Sequence, residues 1–387
     1  MGHAAPPDVD VSAPWTWWRE RRLAAAGLHL DSAAAGRSSR ATLAAAAAHA
    51  EREATEGAYV AMAQAAPALE LAQAALARLL AVPAAGLTFV PNAEAGLGTL
   101  LQVWPLAEGD TVAVARCEWG PNLHAFAARG LAITEIPARG DGTVELAGLE
   151  RLLATAPPAL VHLTLVTSHR GLVQPAAAAA DLCRAAGVPL WVDAAQALGH
   201  VDTACGADAI YATSRKWLAG PRGVGVLGIA EPWWDRLRIS VSDLAASARP
   251  GDASPVWLLG AGEANVAAWI GLGQAVAEFT EAGPARVWAR LAAAGRQTRE
   301  ALDALPGWAV ADAPGTASAI VALRATSGQD ISGARARLLS EHHIVTTACS
   351  PARAPREMTE PLLRISPHVD TTPDDLARLR GALQTLT

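Results

Sequence analysis

Lysine is almost absent from this chain. Of its 31 lysine and arginine residues, a single one, Lys216, is a lysine. Arginine can supply a positive charge or a carboxylate fork, but it keeps its proton in proteins and cannot act as a nucleophilic amine. A chain that uses arginine everywhere else therefore marks Lys216 as a position that requires an amine, and the usual task of such an amine is a Schiff base. The alternative is a surface lysine retained by chance.

Paired cysteines are also missing. The four cysteines, Cys117, Cys183, Cys205 and Cys349, are scattered and form no C-x-x-C pair. This spacing excludes a disulfide framework and a zinc site of the usual kind, and it indicates reduced thiols. The N-terminus lacks a charged start followed by an apolar core, which is the pattern of a secretory signal. We therefore expect a cytoplasmic protein.

Long runs of one residue class are missing too. The net charge of -6 and the absence of a long basic run argue against a nucleic-acid partner. The apolar runs are rich in alanine or interrupted by arginine, glutamate and proline, so we expect no membrane span and no membrane partner. The chain has 387 residues, of which 51% are apolar and 18% charged, and this composition is typical of an enzyme with two packed domains.

Short apolar segments alternate with alanine-rich segments between about residues 87 and 229. The segments that resemble strands are LTFV (87–90), TVAVA (111–115), ITEIP (133–137), ALVHLTLV (159–166), PLWVDA (189–194), AIYAT (209–213) and GVGVLGI (223–229). Continuous apolar strands are covered on both faces. The alternation therefore predicts an α/β fold with a mainly parallel sheet flanked by helices.

The pattern changes after about residue 270. A long helical stretch near 264–305 is followed by two strand-like segments, SAIVALRA and HIVTTA, with helices near 330–342 and 373–386. This order predicts a smaller α+β domain. We expect a large domain over 36–270 and a small domain made of 271–387 together with 1–35.

Two chemically informative residues follow neighbouring predicted strands. Lys216 comes after AIYAT and before a Gly-Pro-Arg-Gly turn, and Asp193 ends PLWVDA. Ligands of parallel sheets bind where the carboxyl ends of the strands meet. A buried Asp193 needs a cation or donor, and a protonated pyridine nitrogen is such a partner, as in pyridoxal 5'-phosphate (PLP) enzymes. Gln196 is placed to donate to the phenolic oxygen of that cofactor. A helix N-cap is the alternative for Asp193.

A phosphate group would need backbone N–H groups and a helix N-terminus. The segment VPNAEAGLGTLL supplies them, because Asn92 and Ala93 turn from a strand into a helix. Thr213 and Arg215, which flank the lysine loop, add a hydroxyl and a guanidinium suited to a dianion. An ordinary N-cap remains the alternative for Asn92.

In these motifs the chain resembles the class V aminotransferase-like, fold-type I PLP enzymes, which include cysteine desulfurases. The resemblance extends from LHLDSAA (28–34) to LLRISPH (362–368). It implies PLP as cofactor, a small-molecule amino-acid substrate and a homodimer. It assigns a role to each matching residue: Lys216 carries the Schiff base, Asp193 pairs with the pyridine nitrogen, Gln196 binds the phenolic oxygen, Trp119 stacks on the ring, Asn92, Ala93 and Thr213 hold phosphate, and Arg364 binds the substrate α-carboxylate.

Two positions depart from the family pattern. Arg215 precedes the lysine where relatives commonly have histidine, and GEAN (262–265) stands where relatives usually have Gly-Thr-Pro. The threonine of that motif reaches the phosphate of the partner subunit. Glu263 therefore leaves the inter-subunit phosphate contact open.

Within the family, the segments HLDSAAAGR, EGAYV, TSHRGLVQP, TSRKWLAGPRGVG and ACSPARAPREM resemble the carbon–sulfur lyase branch of ergothioneine biosynthesis. This implies β-elimination from hercynylcysteine sulfoxide, with ergothioneine, pyruvate and ammonia as final products. Tyr59, or the tryptophans at 15–18, would offer an aromatic face to the trimethylammonium group. Ser168 and His169 lie in the loop that covers the substrate side in relatives, and His169 is a candidate acid for the leaving group.

Other readings stay open from the sequence. A cysteine desulfurase would use a loop thiol, and Cys349 lies upstream of Arg364, although TTACSPARAPREM lacks the Arg-x-Gly motif of that loop. Transamination and racemisation or epimerisation occur elsewhere in the family. An inactive binding protein is a further alternative, against which the complete set of Lys216, Asp193, Gln196 and Arg364 speaks.

Overall fold

The structure is a computed structural model, and it describes residues 10–240, 254–260, 262–312 and 315–386. Its helices are α1 (Thr16–Glu20), α2 (Arg40–Glu56), α3 (Ala58–Leu80), α4 (Ala93–Val103), α5 (Gly120–Ala128), α6 (Leu146–Thr155), α7 (Ala176–Ala186), α8 (Val266–Ala282), α9 (Pro284–Leu302), α10 (Ile331–His342) and α11 (Pro373–Gln384). Its strands are β1 (Leu28–His29), β2 (Leu87–Val90), β3 (Thr111–Val114), β4 (Ala132–Glu135), β5 (Leu160–Thr164), β6 (Leu190–Asp193), β7 (Ala209–Thr213), β8 (Gly225–Ile229), β9 (Trp308–Val310), β10 (Val321–Ala325), β11 (Ile344–Val345), β12 (Thr347–Cys349) and β13 (Leu362–Ile365).

A seven-stranded sheet forms the centre of the molecule, in the order β2-β8-β7-β6-β5-β3-β4. The pairs from β7 to β4 are parallel, and only β8 runs antiparallel to both of its neighbours. Strands β5, β6 and β7 are buried at every residue, because one apolar cluster covers each face of the sheet. The predicted α/β fold with a mainly parallel sheet is confirmed.

The direction of β8 follows from the loop before it. The loop 214–224 joins Thr213 at the end of β7 directly to its partner Gly225 at the start of β8. A parallel return would need a crossover of a dozen or more residues, usually with a helix, so a loop of this length gives an antiparallel pair. This loop carries Lys216, and it therefore stays at the edge where the parallel strands end.

The long helical stretch predicted at 264–305 consists of two helices. Gly283 adopts a φ of +85° between α8 and α9, a conformation that favours glycine, and Pro284 takes the first position of α9. Helix α8 packs along α2 and α3 on one face of the central sheet. By length and composition, α3 is the one described helix that would also pass as a membrane span, and core helices meet the same criteria.

A second sheet, in the order β12-β13-β10-β9, is antiparallel throughout. Its core unites Leu363 and Ile365 of β13 with Leu28 and Leu30 near the N-terminus, and β1 pairs with β11. The N-terminal segment thus packs with the C-terminal third of the chain. The exact domain boundaries stay a prediction.

Candidate active site

Lys216 lies just beyond the carboxyl end of β7, and close backbone packing holds its loop in place. The N–H of Gly36 donates to the carbonyl oxygen of Arg215 over 2.7 Å. A Cβ at Gly36 would collide with the carbonyl oxygen of Lys216, so only glycine permits this approach. The amine is thereby fixed on a half-buried loop at the edge of the sheet.

Asp193 is the last residue of β6, and its carboxylate is buried with 6% of the residue exposed. Oδ1 accepts from the N–H of Ala195 over 2.8 Å, and Oδ2 accepts from Nδ2 of Asn122 over 3.0 Å. Burial raises the pKa of Asp193, while these hydrogen bonds and the charge of Lys216 act in the opposite direction. The net result is a raised pKa. A buried carboxylate with a raised pKa is suited to a partner that carries a proton, such as a protonated ring nitrogen.

The amine of Lys216 is tuned by its surroundings. Burial lowers its pKa to about 7, with Asp193 opposing and the cations Arg215, Arg364 and Arg353 adding to the decrease. Close to neutral pH a large fraction of the amine is therefore unprotonated. This is the state that a nucleophile or a base requires.

Gln196 lies between the lysine loop and the N-terminal segment. Its Oε1 accepts from Nε1 of Trp217 over 3.0 Å, and its Nε2 donates to the carbonyl oxygen of Ala33 over 2.9 Å. Since the indole can only donate, it fixes which end of the amide carries the nitrogen. One hydrogen on Nε2 remains for another acceptor, as the role predicted for Gln196 requires.

The residues predicted to hold phosphate come together at the start of α4. Asn92 is the N-cap of α4, and its side chain accepts from the N–H of Ala95 over 2.8 Å. Gly225 pairs with Thr213, and a Cβ at Gly225 would lie 3.1 Å from the Cα of Asn92. The first turn of α4 therefore meets the end of β7, where its N–H groups and the Thr213 hydroxyl are suited to an anion. Asn92 also performs the capping role that the sequence left open.

Arg364 is 1% exposed in β13. Its Nη1 donates to the carbonyl oxygen of Ser168 over 2.8 Å, and its Nη2 donates to Asp31 over 3.1 Å and to Thr347 over 3.2 Å. Its Nε is buried without any partner. A buried donor without an acceptor is costly, so the group is arranged for an anion that supplies one. A carboxylate held by two hydrogen bonds from the guanidinium would compete with Asp31 for the Nη2 group.

Ser168 and His169 are buried in the segment between β5 and α7. The Ser168 hydroxyl is buried without a partner. Nε2 of His169 lies 2.6 Å from Oε2 of Glu357, which also pairs with Arg170 over 2.5 Å. Burial lowers the pKa of His169 despite Glu357, so the imidazole is mostly neutral at pH 7. The geometry suits His169 for holding the segment around Glu357 more than for protonating a leaving group.

Trp119 is half-buried at the start of α5, with the Arg353 guanidinium 5.4 Å from its ring centroid. Directly before it lies Glu118, a fully buried carboxylate that sequence reasoning missed together with Asn122 and His162. One signal was available, because His162 lies in the middle of a largely apolar strand. The hydrogen bonds that join His162 to Glu118, Glu118 to Asn122 and Asn122 to Asp193 appear only in the tertiary structure.

Three residues considered from the sequence lie outside this group. Tyr59 is 85% exposed at the start of α3, and no described contact joins it to the other candidates. Glu263 is exposed ahead of α8, and its part in an inter-subunit contact stays a prediction. Cys349 is 0% exposed in β12, packed against Ala322 and Met358.

The residues present fit PLP. Asp193 is a buried acceptor for a ring nitrogen, the start of α4 and Thr213 offer donors for phosphate, and Lys216 supplies the amine. The unpartnered Nε of Arg364 and hydroxyl of Ser168 are polar atoms that a bound ligand would satisfy. This set matches the chemistry of a cofactor that carries an aldehyde, a pyridine and a phosphate.

The tuned amine leads to a pH prediction. Because the pKa of Lys216 is about 7, we expect the rate of covalent PLP attachment to the apo-protein to rise about tenfold per pH unit below pH 7 and to level off above it. Stopped-flow absorbance measures this rate. The Asp193→Asn variant, which lacks the charge that supports the ammonium, should have a lower midpoint. The difference between the two proteins cancels the ionisation of PLP itself. A wild-type rate that keeps rising to pH 9 would contradict the assignment.

Comparisons with known proteins identify the family of the chain. The family model described as aminotransferase class-V matches residues 28–379. The chain is 47% identical, over 95% of its length and 92% of the other protein, to a probable hercynylcysteine sulfoxide lyase of Mycobacterium tuberculosis (strain CDC 1551 / Oshkosh).

Solved structures share the fold. An apo cysteine desulfurase from Thermococcus onnurineus NA1 superposes with a TM-score of 0.83 at 19% identity, covering 100% of this chain and 99% of that one. The cystine C-S lyase C-DES, in complex with cysteine persulfide, gives a TM-score of 0.82 at 18% identity, covering 94% and 98%. From the family match over most of its length, and from the full-length similarity, it follows that the chain belongs to the aminotransferase class-V family.

Proposed function

We propose that this chain is a PLP-dependent carbon–sulfur lyase that cleaves a cysteine S-conjugate sulfoxide, hercynylcysteine sulfoxide, by β-elimination. The observation that carries the proposal over desulfuration is the burial of Cys349, which is 0% exposed in a strand. A desulfurase needs a thiolate that reaches the substrate sulfur, and a thiol buried inside a strand does not offer that access. The full-length relative named a probable hercynylcysteine sulfoxide lyase supports the substrate.

The cofactor supplies an electron sink for the substrate carbanion. The chain's own residues do the rest. Arg364 would bind the α-carboxylate and Asp193 would maintain the charge of the ring nitrogen. Lys216 would accept the α-proton, since its pKa of about 7 leaves a large fraction of the amine unprotonated near neutral pH. Gln196 and the first turn of α4 orient the cofactor. Ser168 and His169 would limit the space on the substrate side.

The chemical balance is that of an elimination. Loss of the α-proton is followed by cleavage of the Cβ–S bond, and the electron pair leaves with the sulfur, which takes a proton as a sulfenic acid. The 2-aminoacrylate that is released reacts with water to give pyruvate and ammonia. Two equivalents of a thiol reductant convert the sulfenic acid to the thiol ergothioneine, with one disulfide and one water formed.

Product analysis tests the proposal. The protein is incubated with hercynylcysteine sulfoxide and, separately, with free cysteine, each with a thiol reductant. We expect pyruvate, ammonia and ergothioneine from the sulfoxide and no turnover of cysteine. Alanine and persulfide formed from cysteine, with the sulfoxide untouched, would establish a desulfurase instead. Transamination or epimerisation would leave the carbon–sulfur bond intact.

Replacing Cys349 with serine separates the two chemistries within one protein. Because the thiol is buried among Ala322, Ala354, Met358 and Leu362, we expect Cys349→Ser to keep kcat within about twofold of wild type and to lower stability by about 1 kcal/mol or more. Steady-state kinetics and thermal unfolding measure these quantities. A loss of all activity in a protein that remains folded would return the thiol to the mechanism.

We also propose a homodimer and a cytoplasmic location. In support of the dimer, α3 exposes several large apolar side chains, and unpartnered apolar patches on soluble proteins commonly mark interfaces. The exposed large apolar residues on α3 are Tyr59, Val60, Met62 and Leu71. Sedimentation equilibrium measures the mass, and the mass of a single chain would contradict the dimer.

The proposed cytoplasmic location is supported by the four described cysteines, which are all free and buried and suit a reducing compartment.

Tyr59 reaches a substrate only if a second subunit supplies the pocket. If its ring faces the trimethylammonium group, Tyr59→Ala should raise KM about three- to thirtyfold with little change in kcat, and Tyr59→Phe should retain the wild-type KM because the aromatic face remains. Initial-rate kinetics at varied substrate concentration give both values. An unchanged KM in Tyr59→Ala would remove Tyr59 from substrate binding.

A further inference from the structure

A buried polar network lies behind the candidate cofactor site, and Glu118 is at its centre. Glu118 follows β3 and is 0% exposed. Its Oε1 accepts from the N–H of Trp119 over 2.8 Å, from Nδ2 of Asn122 over 2.9 Å and from the Thr164 hydroxyl over 2.6 Å. Its Oε2 lies 3.0 Å from Nδ1 of His162. Both oxygens of this carboxylate are thus hydrogen-bonded.

Asn122 connects this carboxylate to Asp193. Its Nδ2 carries two hydrogens, and it donates one to Glu118 over 2.9 Å and one to Asp193 over 3.0 Å. A single amide therefore bridges two buried carboxylates. Asp193 cannot rotate without breaking this bridge or its contact to the N–H of Ala195.

The sheet supplies the remaining members of the network. Thr164 on β5 and Tyr211 on β7 are the register partners of Asp193 on β6, so the three side chains lie on the same face. His162, two residues before Thr164, shares that face, and its Nε2 lies 2.9 Å from the Tyr211 hydroxyl. Three adjacent strands and the start of α5 thus contribute side chains to the network around Glu118.

The electrostatics of the network favour an ionised Glu118. Burial by itself would raise the pKa of Glu118, but His162 and the hydrogen bonds from His162, Thr164 and Asn122 outweigh it and lower that pKa. The resulting negative charge contributes to the raised pKa of Asp193. A buried charge is costly compared with an apolar side chain of the same size, so four satisfied contacts in this place indicate more than packing.

We propose that Glu118 is a positioning residue for the cofactor: through Trp119 and Asn122 it fixes both the side chain that stacks on the ring and the carboxylate that pairs with the ring nitrogen. The proposal rests on the PLP site of the proposed function. This role requires no contact between Glu118 and the cofactor or the substrate. Glu118 acts through the backbone N–H of Trp119 and through the amide of Asn122.

The test compares Glu118→Gln with Glu278→Gln in the full chain. Glu278 is a matched control, because it is also buried and forms an ion pair with Arg22 at 3.0 Å. The substitution to glutamine removes that pair. Three quantities are measured: the apparent Kd of the apo-protein for PLP, the pH midpoint of the visible band of the PLP-loaded protein, and the Tm of the apo-protein. None of them needs a substrate.

For Glu118→Gln we expect the Kd for PLP to rise at least about tenfold, since a charged hydrogen-bonding centre is lost. We expect the pH midpoint to fall by about 0.5 to 1 unit, since a negative charge that stabilises the protonated cofactor is removed. Glu278→Gln should lower Tm but leave the Kd for PLP and the pH midpoint unchanged. A Glu118→Gln protein with a lower Tm but the wild-type Kd and pH midpoint would show that Glu118 has only a structural role and would overturn the proposal.

Two milder variants keep the test decisive if Glu118→Gln does not fold. Asn122→Ala breaks the bridge that orients Asp193, and Thr164→Val removes one donor to Glu118, so each should raise the Kd for PLP by a few-fold. Unchanged values in both would equally overturn the proposal. A wild-type protein that binds PLP but does not cleave the sulfoxide would contradict the proposed function and leave this test intact.

Discussion

Replacing Lys216 with alanine is expected to lower kcat at least about 10³-fold, because the only amine side chain in the chain is removed from the site. In the structure this amine lies on the loop after β7, with a pKa lowered to about 7 and Asp193 as the carboxylate that opposes the decrease. No arginine around it, neither Arg215, Arg353 nor Arg364, can lose a proton to take its place.

The matched variant for this prediction is Lys216→Arg. It retains the positive charge and much of the side-chain volume but lacks a nitrogen that deprotonates near neutral pH. We expect both variants to lose turnover equally and to lack the visible band after addition of PLP, with Tm close to wild type. Steady-state kinetics, absorbance spectra and the intact mass after borohydride reduction measure these outcomes. Turnover retained by either variant would show that a different group carries the chemistry.

Replacing Asp193 with asparagine is expected to lower kcat about 10² to 10³-fold, with a smaller effect on KM. The variant keeps the size of the side chain and removes the charge that maintains the ring nitrogen in its protonated form, so the loss falls on the reacting state. Both carboxylate oxygens accept a hydrogen bond, from Ala195 and from Asn122. An amide can replace only one of these acceptors, and PLP binding should weaken as well.

Asp208 provides the control for this substitution. It lies at the opposite edge of the sheet, before β7, and its two oxygens likewise accept from one side chain, Trp233 at 2.7 Å, and from one backbone N–H, Leu190 at 2.8 Å. We expect Asp208→Asn to lower stability without a specific loss of kcat. Equal losses of kcat in the two variants would mean that Asp193 contributes only to the fold.

The different fates of Cys349 and Glu118 illustrate how far pattern reasoning extends. The spacing between Cys349 and Arg364 along the chain allows a thiol on a mobile loop, but the structure places Cys349 inside β12. No local pattern distinguishes Glu118, although it lies next to Trp119. Its importance depends on His162, Thr164 and Asn122, which come from other elements and meet only when the sheet has formed.

The α/β class, the positions of the central strands, and the location of Lys216 and Asp193 at strand ends can all be predicted from the sequence. These properties depend on local patterns, since apolar runs and turn residues specify elements within a few residues along the chain. The single lysine is a property of composition and is equally independent of the fold.

Three features become visible only in the folded chain: the antiparallel direction of β8, the pairing of β1 with β11, and the contacts that shift the pKa values of the buried polar side chains. Strand direction depends on the length of a connection and on the neighbours that remain available. A pKa depends on burial and on charges from distant parts of the chain, such as Arg364 and Arg353 acting on Lys216. Hence the sequence could identify the amine, while the fold made it a base at neutral pH.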